Sequence, residues 1–359
     1  MVFRKADNMI VESAPLLKPH IDEIDGLRGI AILLVVILHW VFQPLFLPYI
    51  STPWLKNVLN TFAYGVDLFF VISGFLIGRI LLRTEKKLSG LFTFYLRRIL
   101  RIWPLYYLLL GTIYFLSRGN LSTPKIQLWT FFLFIFNFYE SNGTIIHQAL
   151  GTLWSLAIEE QFYALAPLIF MTLKQRYILF FSVFIIVISP FLRLEVSANS
   201  NIDLWRFTFS RLDGISTGIL ISIILASTDA ISYLLSKIHI LQGIMFLAIV
   251  MATMLYIVNS PWSSSLMVFS FGLLVVTTLI RSHSGQKTRV LNWGILRYLG
   301  VRCYSIYLFH IFFMLIATTL SDNFIIRLIL QSILTLGFAH ISWKYLEYPI
   351  IKFGQRFRY

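Results

Sequence analysis

The 359-residue chain has few charged residues and almost no cysteine. Only 13% of its residues are charged, and the single Cys303 excludes an internal disulfide and a cysteine-based metal cluster. The sequence contains no Walker loop, no dinucleotide-binding glycine fingerprint and no His-x-x-x-His pair, which disfavours an ATP-driven pump and a metalloprotease; no metal is expected. The first 28 residues mix acids with bases and have no apolar core, so we expect no cleaved signal peptide.

Apolar sequence is abundant. Hydrophobic residues make up 58% of the chain and aromatic residues 16%, with a mean hydropathy of +0.78. Such a composition is typical of integral membrane proteins. We predict an all-α, polytopic membrane helix bundle of about ten transmembrane helices, near residues 29–42, 58–82, 102–116, 153–173, 177–194, 211–227, 238–258, 264–280, 303–320 and 324–343.

One further apolar segment, residues 126–139, is short and is predicted to be re-entrant or interfacial. If it does not cross, most of the 30 Lys and Arg residues fall on the same side as both termini, and the positive-inside rule makes that side cytoplasmic. We therefore predict cytoplasmic tails over 1–24 and 350–359 around a membrane domain over 25–349. Contacts with membrane lipids then account for the net charge of +14, and no nucleic-acid partner is expected.

Arg28 and His39 are eleven residues apart in a run that is almost wholly apolar after Arg28. Eleven helical steps of about 100° return to within about 20° of the starting direction, over a rise of roughly 16 Å. Both side chains are therefore predicted on one face of the first helix, with the imidazole near the middle of the bilayer. A charged group there costs on the order of 2–3 kcal/mol, which favours a functional role over a simple contact between helices.

Asp67 enters the second span from outside to about the depth of His39. It would stabilise a protonated imidazole there, or alternatively bond the backbone or Ser73. Arg211 and Asp213 open the sixth span at the outer side, where a basic residue runs against the topology bias. An ion pair or a substrate contact is one interpretation of this pair, and an interfacial anchor is the other.

Glu159 and Glu160 lie at the outer end of the fourth span. Adjacent acids on a helix point about 100° apart, so they need not share a partner. Ser155, Glu159 and Tyr163 are one turn apart, which predicts a polar stripe along one face. The alternative is that the acids cap the N-terminus of the helix.

The segment around Arg97, Arg98 and Arg101 is basic and aromatic and is predicted to be a cytoplasmic loop. It would serve either as an interfacial lipid anchor or as a phosphate-binding patch. His310 enters the ninth span from inside by roughly 10 Å. It is either a second site residue or a polar contact between helices.

Six motifs, ordered along the chain from about Asp25 to Pro349, resemble those of the acyltransferase-3 family of membrane-bound O-acyltransferases. They are Arg28-x10-His39, Gly65–Phe75, Arg97–Pro104, Trp154–Tyr163, Arg211–Gly214 and Tyr304–His310. The resemblance implies a multi-pass enzyme of the bacterial inner membrane that acylates a hydroxyl of a cell-surface glycan such as O-antigen or exopolysaccharide.

The resemblance also implies a donor and roles for the candidate residues. The donor would be acyl-CoA, by default acetyl-CoA, and the acceptor a glycan or lipid-linked glycan. His39 would be the base, with Asp67 or Glu159 stabilising the imidazolium; a covalent acyl-histidine is the alternative. Arg28, Arg97, Arg98 and Arg101 would bind the CoA phosphates. The expected acceptor contacts are Trp154, Ser155, Glu160, Tyr163, Arg211, Asp213 and His310.

Two further possibilities bear on function. A transporter or flippase of a lipid-linked glycan would have similar spans, but it should show repeated broken helices, for which the sequence has no convincing pair. Some members of the family carry an extracytoplasmic hydrolase-like domain after the membrane part. Because few residues follow the last span here, we expect this chain to transfer alone or with a separate extracytoplasmic transferase.

Overall fold

The computed structural model describes residues 21–46, 50–286 and 288–357, and most of these are helical. The α-helices are α1 (Asp22–Ile37), α2 (Pro53–Asn60), α3 (Gly65–Leu81), α4 (Leu88–Leu116), α5 (Trp129–Phe132), α6 (Phe136–Ser141), α7 (Leu153–Thr172), α8 (Gln175–Asn199), α9 (Leu212–Ile224), α10 (Thr228–Ser236), α11 (Ile238–Ile257), α12 (Trp262–His283), α13 (Gly294–Val301), α14 (Cys303–Leu320), α15 (Phe324–Ser342) and α16 (Tyr348–Gly354).

Short irregular elements connect these helices. Stretches of π-helix, Leu38–Phe46 and Trp343–Glu347, continue α1 and α15, and 3-10 turns form at Thr61–Tyr64, Gln148–Leu150 and Thr208–Ser210. Strands β1 (Ser122–Thr123) and β2 (Ile145–Ile146) pair antiparallel, with Ser122 opposite Ile146.

The chain is a multi-pass membrane protein. Within the described residues, eight helices are long and apolar enough to cross a membrane, or nine if α9 and α10, bent by 105°, form one broken span. Helix α7 is not among them, because Glu159, Glu160 and Gln161 interrupt its apolar sequence. The count of ten and the cytoplasmic termini remain predictions. Of the predicted tails, residues 1–20 and 358–359 lie outside the described residues, and α16 continues beyond residue 350 to Gly354.

Two predicted segments take a different form. Residues 126–139 do not make a spanning helix, since they fold into α5 and the start of α6 with Phe134 between them at φ +55°. The segment before residue 102 is not a loop as predicted, because α4 is already helical from Leu88 and runs for 29 residues; its cytoplasmic side stays a prediction. Arg97, Arg98 and Arg101 therefore project from a continuous helix.

Close backbone approach at glycine holds the central helices together. A Cβ on Gly74 in α3 would lie 2.0 Å from the carbonyl oxygen of Ile215 in α9, and one on Gly218 would lie 2.2 Å from that of Val71. Such contacts between small residues are the usual means of packing helices in a membrane, where apolar burial gives no advantage over lipid. Helix α3 of this tight pair forms one wall of the site described next.

Candidate active site

A basic recess, which we call the arginine vestibule, opens at one end of the bundle. It contains about 1450 Å³ of empty space between α1, the C-terminal end of α3, α4 and α16. Asp25 also contributes to its wall. The arginines that line it are Arg28, Arg79, Arg83, Arg97, Arg98 and Arg101. So many positive charges around one recess create a potential that attracts anions.

The arginines of the vestibule are engaged to different degrees. Arg97 donates to the backbone carbonyls of Gly354 (3.1 Å), Gln355 (3.3 Å) and Phe357, so it fastens the C-terminal helix. Arg28 lies 3.6 Å from Asp25. The guanidinium of Arg98 lies over an aromatic ring, and its Nε is buried with no hydrogen-bond partner among the described residues. Arg98 thus has donor capacity left for a ligand.

A second cavity, which we call the inner cavity, continues from the vestibule into the bundle. It contains about 830 Å³ of empty space and shares Arg28, Arg98 and Arg101 with the vestibule wall. Apolar side chains of α3 line much of the remainder. Its polar wall consists of Ser73, Ser155, Glu159, Tyr163, Cys303, Tyr304 and Tyr307. The two spaces therefore adjoin, with the basic recess on one side of Arg28, Arg98 and Arg101 and the polar cavity on the other.

The predicted polar stripe of α7 faces the inner cavity. The hydroxyl of Tyr163 donates to Glu159 Oε2 (3.3 Å) and contacts the hydroxyl of Ser73 on α3. Ser155 contacts the hydroxyl of Tyr307 at 2.6 Å. The alternative of an acidic N-terminal cap is wrong, because α7 begins at Leu153 and both acids lie beyond its first turn.

Glu160 points away from Glu159, as the helical geometry predicts. Its Oε2 accepts from the indole N–H of Trp103 at 3.1 Å, whereas Oε1 is buried with no partner among the described residues. Gln161, next in sequence, donates to Asn137 Oδ1 (2.8 Å) and to the carbonyl of Phe134 (2.6 Å). This face of α7 therefore holds the short helices of segment 126–141 in place.

His39 and His310, far apart in sequence, come together in the structure. His39 is the second residue of the π-helical stretch, and its Nδ1 lies 2.8 Å from the Val35 carbonyl and 3.3 Å from His310 Nε2. His310 is fully buried, and its ring also packs against Tyr307 of the inner cavity, with centroids 5.8 Å apart. Arg28, by contrast, lines the cavity itself. The histidine pair thus lies behind one wall of the cavity.

Asp67 takes a partner that the sequence did not reveal. Its Oδ2 accepts from Arg211 at 2.6 Å, and both residues are buried, so the expected contact with His39 is not formed. Asp213 is paired instead with Arg193 at 2.8 Å. These two ion pairs join α3, α8 and α9. The interpretation of Arg211 as an interfacial anchor is therefore wrong.

Trp154 packs in the same layer as these ion pairs. The guanidinium of Arg211 lies 5.9 Å from its ring centroid and 4.4 Å from that of Trp205. Trp154 also meets Phe70 edge to face, with centroids 6.3 Å apart. Trp154, Arg211 and Asp213 are all buried, and none of them lines the inner cavity.

Several residues of this arrangement were not among the candidates predicted from the sequence. Arg193 carried a usable signal, since it is a lone charge in a predicted span. Tyr307 lies one turn before His310, and Trp103 lies in a segment that contains several other aromatic residues. The residue type alone therefore does not mark either of them as a site residue. Ser73 was considered only as a partner of Asp67. In the part of the chain that the structure describes, no group of three His, Cys, Asp or Glu side chains is arranged to hold a metal ion.

Known proteins of similar sequence indicate the family to which this chain belongs. A family profile described as "Acyltransferase domain" matches residues 21–343, which include the lining of the inner cavity, the six arginines of the vestibule and the histidine pair. The chain belongs to the acyltransferase-3 family. No solved structure matches it.

Several curated proteins are similar to most of this chain. Peptidoglycan O-acetyltransferase OatA of Listeria monocytogenes is 27% identical, with 94% of this chain and 57% of that protein aligned. The putative peptidoglycan O-acetyltransferase YrhL of Bacillus subtilis is also 27% identical, with coverage of 94% and 56%. A putative O-acetyltransferase of Staphylococcus aureus strain COL is 26% identical, with coverage of 93% and 58%. The chain thus spans a little over half the length of these relatives.

Proposed function

We propose that this protein is an O-acyltransferase of the bacterial cytoplasmic membrane that transfers an acetyl group from acetyl-CoA to a hydroxyl of a cell-surface glycan. The observation that carries this proposal is that the arginine vestibule and the inner cavity adjoin and share Arg28, Arg98 and Arg101 as wall residues. A basic mouth that leads to a polar interior suits a donor with an anionic head and a long uncharged arm. Membership of an acyltransferase family supports the same reaction class.

The vestibule has the chemistry needed for the donor's phosphates. Guanidinium groups bind phosphate oxygens with paired, directed hydrogen bonds. Arg28, Arg98 and Arg101 would hold the phosphates, and the unpartnered Nε of Arg98 fits that role. Arg97 contributes mainly by fixing α16, because its donors already meet backbone carbonyls. With cytoplasmic termini, the vestibule would face the compartment that contains CoA.

Acetyl transfer to a hydroxyl breaks the thioester C–S bond and forms a C–O bond, and the hydroxyl proton must be removed. In this proposal His39 takes that proton as a general base and returns it to the departing thiolate. Glu159, hydrogen-bonded to Tyr163, supplies negative charge beside the cavity. Asp67 is not proposed to act on the imidazole, because it is engaged by Arg211.

The acceptor is proposed from the relatives. Two of them are named for peptidoglycan. We therefore place peptidoglycan, or its lipid-linked precursor, beside O-antigen and exopolysaccharide as acceptors to be tested. Of the proposed acceptor contacts, Ser155 and Tyr163 line the inner cavity, whereas Glu160 lies on the neighbouring face of α7 beside Trp103. A separate extracytoplasmic transferase is a further proposed partner.

The test is a comparison of bacteria that express the wild type, His39→Ala or His239→Ala, where His239 is an exposed histidine of α11 that serves as the matched control. Peptidoglycan, lipopolysaccharide and exopolysaccharide are isolated and analysed by mass spectrometry for added acetyl groups. We expect acetylation of one glycan with the wild type and the control, and none with His39→Ala.

A parallel assay uses the purified full chain in lipid nanodiscs with radiolabelled acetyl-CoA. Release of CoA thiol that depends on added glycan would support the proposal. Movement of glycan across the membrane without acetylation in any strain would overturn it in favour of a transporter.

A further inference from the structure

The histidine pair has a defined hydrogen-bond direction. The Nδ1 of His310 lies 2.7 Å from the carbonyl of Tyr307, and the Nδ1 of His39 lies 2.8 Å from the carbonyl of Val35. A carbonyl oxygen can only accept, so in each ring Nδ1 must carry the proton. In a neutral imidazole with Nδ1 protonated, Nε2 holds a lone pair.

The contact between the two rings agrees with this assignment. His310 Nε2 approaches His39 Nδ1 at 3.3 Å, which joins a lone pair to an N–H. The proton of His39 is thus shared between the Val35 carbonyl and His310, a three-centre arrangement common near helix irregularities. The Nε2 of His39 has no hydrogen-bond partner among the described residues, which leaves its lone pair available.

The two histidines differ in access and in support. Neither histidine lines either cavity, but His310 is fully buried whereas His39 is partly exposed. The backbone of His310 is itself held, since its carbonyl accepts from the indole N–H of Trp40 at 3.2 Å. His310 therefore has the position of a support rather than of a group that meets the acceptor.

We propose that His310 is a positioning residue that, together with the Val35 carbonyl, holds His39 in the Nδ1-protonated tautomer, so that Nε2 of His39 is the atom that takes the acceptor's proton. The catalytic part of this inference rests on the proposed acyl transfer; the tautomer does not. In a Ser-His-Asp triad a carboxylate accepts from Nδ1–H of the catalytic histidine and so orients it. Here the neutral ring of His310 accepts from Nδ1–H of His39. Its ring contact with Tyr307 ties this support to the wall of the inner cavity.

The test is solid-state 15N NMR of the full chain, labelled at histidine, in lipid bilayers. The two ring nitrogens of an imidazole give well-separated resonances when protonated and unprotonated, and a His39→Ala spectrum assigns the His39 signals. We expect wild-type His39 to show protonated Nδ1 and bare Nε2. A protonated Nε2 in the wild type would overturn the inference, whatever the activity.

Two variants then test the role of His310. His310→Leu removes one of the two acceptors of the His39 Nδ1–H and leaves the Val35 carbonyl, so it should admit a minor population of the Nε2-protonated tautomer and lower kcat by about 10-fold with little change in KM. His310→Gln keeps an acceptor oxygen and should restore the wild-type tautomer and most of the rate. Unchanged spectra and rates in both variants would refute the positioning role.

The two proposals can fail separately. If no glycan is acetylated by the wild type while its His39 shows protonated Nδ1, acyl transfer is wrong and the tautomer stands. If His310→Leu does not fold, the wild-type and His310→Gln spectra still decide the assignment.

Discussion

At the scale of single residues, the two buried ion pairs have the largest energetic consequences. Arg211 and Asp67 are 2% and 1% exposed, and Arg193 with Asp213 is equally enclosed. Removing one member of such a pair leaves a charge without a partner in a medium of low dielectric constant, which typically costs more than removing both. The pairs therefore specify how α3, α8 and α9 assemble.

We predict that Arg211→Leu lowers the free energy of unfolding by about 3–5 kcal/mol, because it strands the carboxylate of Asp67. The double variant Arg211→Leu with Asp67→Leu should be less destabilised than Arg211→Leu alone. Chemical unfolding of the purified protein in bicelles measures both, with the exposed Lys174→Ala as control. Asp67→Leu alone is measured as well. If the losses of unfolding free energy of the two single variants add up to that of the double variant, the residues are not coupled.

At the scale of helices, glycine positions decide which pairs can form. The α3–α9 interface leaves no room at Gly74, where a Cβ would meet the backbone of Ile215, whereas Gly243 in α11 has nothing within 4 Å. The same substitution at the two positions therefore separates packing from helix propensity. In open space alanine is the better helix former, by roughly 0.5–1 kcal/mol.

We expect Gly74→Ala to reduce the yield of folded protein and to lower its melting temperature, because α3 and α9 must move apart. Gly243→Ala should leave the melting temperature unchanged or raise it slightly. Thermal unfolding in the same detergent, followed by size-exclusion chromatography, makes the comparison. Equal melting temperatures for the two variants would contradict the close packing of α3 with α9.

What the sequence could predict was largely local. The stripe of Ser155, Glu159 and Tyr163 follows from the helical repeat, and α7 confirms it. The eleven-residue rule for Arg28 and His39 assumes an α-helix throughout, but the helix becomes π-helical from Leu38, so the predicted angle no longer applies.

Partners that are distant in sequence could not be predicted. Asp67 was expected near His39 on depth alone, yet it meets Arg211, 144 residues later. His310 was a candidate by type, and only the fold brings its Nε2 to His39. The helical periodicity of the sequence indicates which residues share a face of one helix. It does not indicate which helices pack against each other.

At the scale of the whole molecule, positive charge is gathered at one end of the bundle. The six arginines of the vestibule come from three parts of the chain: α1, the end of α3 with the turn that follows it, and α4. No single sequence motif contains all of them. Such clustering raises the local concentration of an anionic ligand and falls in effect as salt increases. The fold thereby combines charges that the sequence distributes over some 70 residues.

For this reason Arg98→Gln should raise the KM for acetyl-CoA by about 10- to 100-fold, the loss expected for a charged hydrogen bond, with a much smaller change in kcat. Arg176→Gln, at an exposed arginine outside the vestibule, is the matched control. Steady-state kinetics at two salt concentrations provide the measurement. A fall in kcat with KM unchanged would place Arg98 in the chemical step instead.

The ion pair between Asp67 and Arg211 also has a consequence for biosynthesis. The ribosome adds roughly 5–20 residues per second. Asp67 is therefore synthesised about 7–30 s before Arg211, which follows it by 144 residues. During that interval a carboxyl group without its cation must be kept from lipid, by the insertion machinery or by staying protonated. Nascent chains arrested before Arg211 should therefore remain associated with the translocation channel, and release into lipid should follow synthesis of α9.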